Sequence, residues 1–179
     1  MKTIACLLLL IPLIGQSAYA KGKVSLKRYR NDKLGCEFLY PRRYKLAPCG
    51  GMYDPRPCVG FDVIPGDGEP EVYVVMLPVG LEQALRDEVN SPFREVGGKW
   101  IGLGRFASSP THPLTGLGWR GLYAITIWGI SDELGFHAAG GDCLEAMLSD
   151  GRKTFLVESD GTVPPRQVLS SIIRTFRMT

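Results

Sequence analysis

His137, Asp142 and Cys143 fall within one short glycine-rich stretch. A Cys143 thiolate, a His137 base and an orienting Asp142 carboxylate would make a nucleophilic set. That chemistry needs the thiol to stay reduced, and the reading of the cysteines below argues otherwise. The only other histidine, His112, has no such companions. Asp62, Asp67, Glu69 and Glu71 crowd around Pro65-Gly66. Hard-cation binding needs several carboxylate oxygens to converge. The glycine and distant glutamate of a calcium loop are missing here, so the segment reads as a solvated acidic turn. Gly151-Arg152-Lys153-Thr154 ends like a phosphate-binding loop but lacks the preceding glycine. There is no G-x-S-x-G elbow. The expectation is no catalytic residue, no metal and no cofactor, with an enzyme using His137 as the surviving catalytic alternative.

The four cysteines after the first twenty residues are Cys36, Cys49, Cys58 and Cys143. No C-x-x-C is present, and the spacings match no zinc module. Their meaning depends on compartment. Met1-Lys2 is followed by the apolar run Ile4–Ile14 and then by Ala18-Tyr19-Ala20. That order of charge, apolar core and small residues is the order of a cleavable signal peptide. The run is shorter than the roughly 20 residues a membrane span needs. Residues 1–20 are therefore expected to be removed. Residues 21–179 would form a single globular domain, secreted or periplasmic, with no stable membrane span after cleavage. Four cysteines in an oxidising compartment predict two disulfides. The turn-rich segment Gly50–Pro57 favours Cys49–Cys58, which leaves Cys36–Cys143 as the second pair.

Lys21, Lys23, Lys27, Arg28, Arg30, Lys33, Arg42, Arg43 and Lys45 stand against only Asp32 and Glu37 in the same stretch. Such asymmetry suits an anionic surface or a solvated strand face. The compartment argues against nucleic acid.

These residues need elements to hold them. Residues 24–30 alternate, with Val24, Leu26 and Arg28 on one side and Ser25, Lys27 and Tyr29 on the other, which predicts a strand with one solvated face. Asn31-Asp32-Lys33 turns the chain into a second strand over 35–40, closing a hairpin. Further strands are predicted over 59–64, 72–77, 100–106 and 121–129, and a hairpin joins 143–148 to 154–158 through Ser149-Asp150-Gly151. Leu81, Ala84, Leu85 and Val89 share one face of a predicted helix over 81–89. Residues 108–118 read as loop. A final amphipathic helix has Thr162 as N-cap, Pro164-Pro165 in its first turn, and Val168, Leu169, Ile172, Ile173 and Phe176 on one face. Arg174 and Arg177 suit its C-terminal dipole. The fold class is α+β, a mostly antiparallel sheet with flanking helices.

Asn31–Pro41, with its turn, glycine, aromatic strand and Tyr40-Pro41, resembles the opening of PsbP/Mog1-like domains. Ser170–Phe176 resembles the phrase that closes their last helix. This resemblance implies an α/β/α sandwich around an antiparallel sheet, usually non-enzymatic and often an assembly or binding module. It carries over no catalytic residue.

The expected role is an exported, non-catalytic binding or accessory module acting on a protein or cell-envelope partner. Trp100 and Trp128 are candidates to line a ligand groove. Met52 and Tyr53 would be the contact residues if a disulfide-closed 49–58 loop inhibited a hydrolase, the other alternative.

Overall fold

The structure, a computed structural model, describes residues 24–49, 55–63, 70–89, 91–104, 107–127, 130–132, 135–137 and 141–179, with backbone only for 130–132 and 135–137. Strands β1 (Leu26–Asn31) and β2 (Cys36–Pro41) form the expected hairpin. Its turn is set by Asn31, whose Oδ1 accepts the N–H groups of Lys33 and Leu34. Gly35 follows with φ +71°, and a Cβ there would strike Lys153 Nζ and Thr179 O, so both backbone conformation and space call for glycine.

Next come β3 (Lys45–Ala47), β4 (Cys58–Asp62), β5 (Val72–Leu77) and a short helix α1 (Leu81–Leu85). Strands β6 (Phe93–Val96), β7 (Lys99–Leu103) and β8 (Ser108–Pro110) make a small antiparallel sheet. Strands β9 (His112–Gly116) and β10 (Trp119–Ile127) form a hairpin, and β11 (Ile130–Asp132) pairs with β12 (Gly135–His137). The Asp-Gly hairpin is β13 (Asp142–Ser149) with β14 (Thr154–Ser159). The chain then runs through α2 (Pro165–Ser171), a 3-10 turn (Ile173–Thr175) and β15 (Arg177–Met178), which pairs with β2.

The central sheet is antiparallel throughout, in the order β3-β4-β5-β14-β13-β10-β9. Its inner strands are apolar on both faces because both faces are covered. Val72, Val74, Leu144, Ala146, Leu148, Phe155 and Val157 face one core, and Val75, Leu77, Met147 and Leu156 face the other. The first core is closed by α2, the 3-10 turn and the β1-β2-β15 sheet, which brings Phe38 against Phe61 and Phe176, with ring centroids 5.7 and 5.5 Å apart. The second is closed by α1 and the small sheet, through Ala84, Leu85 and Phe93. β7 lies close on β10 because Gly102 has no Cβ to meet Ala124.

The predicted mostly antiparallel sheet is observed. The helical layers are thin: each face carries one short helix and a small sheet.

Several local expectations change. The helix predicted over 81–89 stops at Leu85, and Val89 is exposed rather than packed. Residues 108–118, read as loop, include β8 and β9; prolines 110 and 113 are tolerated there because both strands are sheet edges. Pro164, not Thr162, caps α2, while Thr162 bonds to Asp160. In β1 the alternation left open which side turns inward. Tyr29 turns inward onto Phe38, centroids 5.0 Å apart, while Val24 and Leu26 stay exposed. A ring buries more area than a leucine and gains from edge contacts with its neighbours.

A candidate functional site on the cationic face

The hairpin β1–β2 and the polar side of α2 meet at a groove of about 650 Å³. Arg42 and Arg43 come from the turn after β2, and Arg166 comes from the first turn of α2; Val24 and Pro164 supply apolar wall. The two sides are held in place by specific bonds. The N–H of Arg42 donates to Ser25 O at 2.8 Å, and Arg43 Nη2 donates to Gln167 Oε1 at 2.9 Å. Among the described residues, no carboxylate lies within ion-pair distance of Arg42 or Arg166.

The outer surface of the β1-β2-β15 sheet carries further charge. Arg30 and Arg177 both stand opposite Glu37 in strand register, and Arg28 lies 3.6 Å from the same carboxylate. A second recess of about 330 Å³ is lined by Arg28, Arg174 and Arg177 together with Glu37 and Leu117. The joint between β2 and the C-terminal segment is half-buried and hydrogen-bonded. The N–H of Leu39 donates to Thr175 Oγ1 at 2.8 Å, and that hydroxyl donates to Ser171 O. Glu37 and Asp32, which pairs with Arg30, are two negative charges among Arg28, Arg30, Arg174 and Arg177, so the field over this face is positive. Exposed guanidinium groups with no local partner can bind phosphate, carboxylate or sulfate at small desolvation cost.

Sequence reasoning located half of this face, the basic stretch through Lys45. It missed Arg166, Arg174 and Arg177 as members. Arg177 is not on a helix end at all but on β15. The available signal was the run of arginines on the polar side of the last helix, which is silent about what that side lies next to.

The other candidates that the structure describes lie away from this groove. Cys49 and Cys58 form the expected disulfide, with Cα atoms 6.0 Å apart. The second expected pair is not made. Cys36 points into the first core from β2, while Cys143, beside Leu144 on β13, faces the opposite side of the central sheet, across from Thr126. The sheet itself separates the two sulfurs. Burial pushes the Cys36 thiol up to about 12, against a smaller lowering by Lys153. Cys143 is 7% exposed within the sheet.

His137 pairs through its backbone with Ile130, and its side chain lies outside the described residues, as do Met52, Tyr53 and Trp128. Trp100 is half-buried against the second core, with the Arg86 guanidinium 5.6 Å from its ring centroid. That places Trp100 on the opposite side of the sheet from the cationic groove. His112 stands on the exposed edge strand β9 with its ring 5.1 Å from Tyr123. Of the acidic turn, Asp67 and Glu69 are outside the described residues, and Glu71 is buried and accepts the N–H of Val63. Among the described residues, no three acidic, histidine or cysteine side chains come together as a metal site would require. No described helix is long and apolar enough to cross a membrane.

No protein-family model matches the sequence, and no curated protein matches it. A solved structure does. The solution structure of cyanobacterial PsbP (CyanoP) from Synechocystis sp. PCC 6803 superposes with a TM-score of 0.52 over 93% of this chain and 99% of that one, at 15% identity. A crystal structure of a protein from Bacteroides thetaiotaomicron covers 86% of this chain and 48% of its own, with a TM-score of 0.42 and 8% identity, too distant to add to the assignment. The resemblance first visible in Asn31–Pro41 and Ser170–Phe176 therefore extends over the whole domain: the chain has a PsbP-like fold.

Proposed function

We propose that this chain is an exported, non-catalytic binding module that engages an anionic partner of the cell envelope through its cationic face. The observation that carries the reading is the gathering of Arg42, Arg43 and Arg166 around one groove, with Arg42 and Arg166 unpaired by any described carboxylate. Export is supported by the form of residues 1–20 and by the Cys49–Cys58 bridge, which suits an oxidising compartment. An α/β/α arrangement of the PsbP type, with its layers reduced to short helices, would be a rigid platform for such a face.

The test is retention of the purified exported protein on washed envelope membranes. The wild type should be retained at low salt and released as salt screens the exposed charges. The Arg42→Glu/Arg166→Glu variant, both positions being exposed, should keep its melting temperature and lose roughly tenfold or more in retention. Undiminished retention by that variant would remove the reading.

The disulfide supports a second reading, inhibition of a hydrolase by the closed 49–58 loop, since a pre-closed loop loses less entropy on docking. Under that reading Met52→Ala/Tyr53→Ala abolishes inhibition of an envelope hydrolase while Arg42→Glu/Arg166→Glu leaves it intact.

A further inference from the structure

Leu117 is 80% exposed at the tip of the β9–β10 turn, and the turn that carries it is rigid. Gly116 lies so close to the Trp119 indole that a Cβ would collide with it, and Gly118 has φ +76°. The indole is buried and its Nε1 donates to Phe176 O at 2.9 Å, which anchors the turn to the C-terminal segment. The leucine is thus held out in solvent.

Cations surround it. Arg28, Arg174 and Arg177 share the recess on one side of Leu117, and Arg152 and Lys153 share a second recess, of about 490 Å³, on the other. Three carboxylates belong to the same surface. Glu37 pairs with Arg28 and Arg30, and Asp32 pairs with Arg30 at 2.9 Å. Asp150 accepts the N–H groups of Arg152 and Lys153 at 2.8 and 3.0 Å, closing its own turn. Lys153 Nζ donates to Gly35 O and Thr179 O, so this ammonium is partly engaged. Positive charge remains in excess around a protruding apolar tip.

We propose that this tip is a docking point for an anionic lipid bilayer, with Leu117 entering the boundary between headgroups and acyl chains and the five cations resting on lipid phosphates. The inference rests on the reading of the cationic face as a binding surface and names its partner class. Peripheral membrane binding combines apolar burial with attraction to anionic headgroups, and both parts are present within one turn. A polyanionic sugar would answer the charge but offer the leucine nothing to enter. An acidic protein would need a shaped apolar socket at the tip, and a bilayer needs none.

The experiment is co-sedimentation of the purified exported protein with phosphatidylcholine vesicles, with and without roughly 30 mol % phosphatidylglycerol. Binding is expected to the anionic vesicles and not to the neutral ones. Leu117→Asp, on an exposed tip, should weaken it about tenfold or more, and Arg174→Glu about as much again. As an independent readout, the emission of Leu117→Trp should shift to the blue on adding anionic vesicles and not neutral ones. Equal binding to both compositions, binding to neither, binding unchanged in Leu117→Asp, or no spectral shift would each overturn the proposal. Salt-sensitive retention on envelope membranes, lost in Arg42→Glu/Arg166→Glu but without vesicle binding, would sink the lipid assignment and leave the broader reading standing.

Discussion

A thiol in the wall of a core behaves differently from one in water, and Cys36 makes that measurable. It is fully buried between β1 and β15, and desolvation raises its pKa from an ordinary 9.0 to about 12. Below 9 both native and unfolded chains hold the proton. Between the two values the unfolded chain releases it and the native chain does not, so stability falls as pH rises. Urea unfolding at neutral pH and midway between the two thiol values should therefore show a loss of stability that is shallower in Cys36→Ala. Equal losses would contradict the assignment. A slope remains in the variant because burial also raises Tyr29 and Tyr44. This state of Cys36 was not legible beforehand, since counting cysteines favours pairing and says nothing about which face of a sheet each sulfur occupies. The facing of β1 was open for a similar cause: alternation identifies two faces, but which one turns inward depended on Tyr29 meeting Phe38 and Phe61, residues in two other strands.

Elements with strong local signals were legible. The run Val72–Leu77 was read with its observed limits, and the Ser149-Asp150-Gly151 turn and the Asn31 turn both close the hairpins read from them. Elements whose existence depends on neighbours were not. β9 is a strand because β10 offers it hydrogen bonds, although Pro113 sits within it. Helix α1 ends after one turn and a half because Leu81, Ala84 and Leu85 pack on the second core while Val89 meets none. The disulfide was legible because its loop is short and turn-rich. Closing about ten residues should contribute roughly 2.5–3 kcal/mol by restricting the unfolded chain. Cys49→Ala/Cys58→Ala should lower unfolding free energy by about that amount in chemical denaturation. A change near zero would show that the bridge does not constrain the unfolded chain.

On the scale of the whole molecule, the cationic face exists only after folding. Arg28 and Arg42 lie near the start of the domain and Arg166, Arg174 and Arg177 near its end, and they become neighbours because β15 pairs with β2 and α2 packs over it. A basic N-terminal stretch was visible in the sequence; its completion by the C-terminal segment was not, because charge clustering has no periodic signature along the chain. The same topology sets two of the other candidates apart from the arginines. Cys143 lies on the face of β13 away from the first core and Trp100 packs against the second core, on the far side of the central sheet from the arginines.

The most direct measurement of the central claim is the affinity of the purified protein for envelope membranes as a function of salt, for the wild type and for Arg42→Glu/Arg166→Glu. The account predicts an affinity that declines steadily with salt in the wild type and a lower, flatter dependence in the variant. An affinity independent of salt, or the same curve for both proteins, would contradict it.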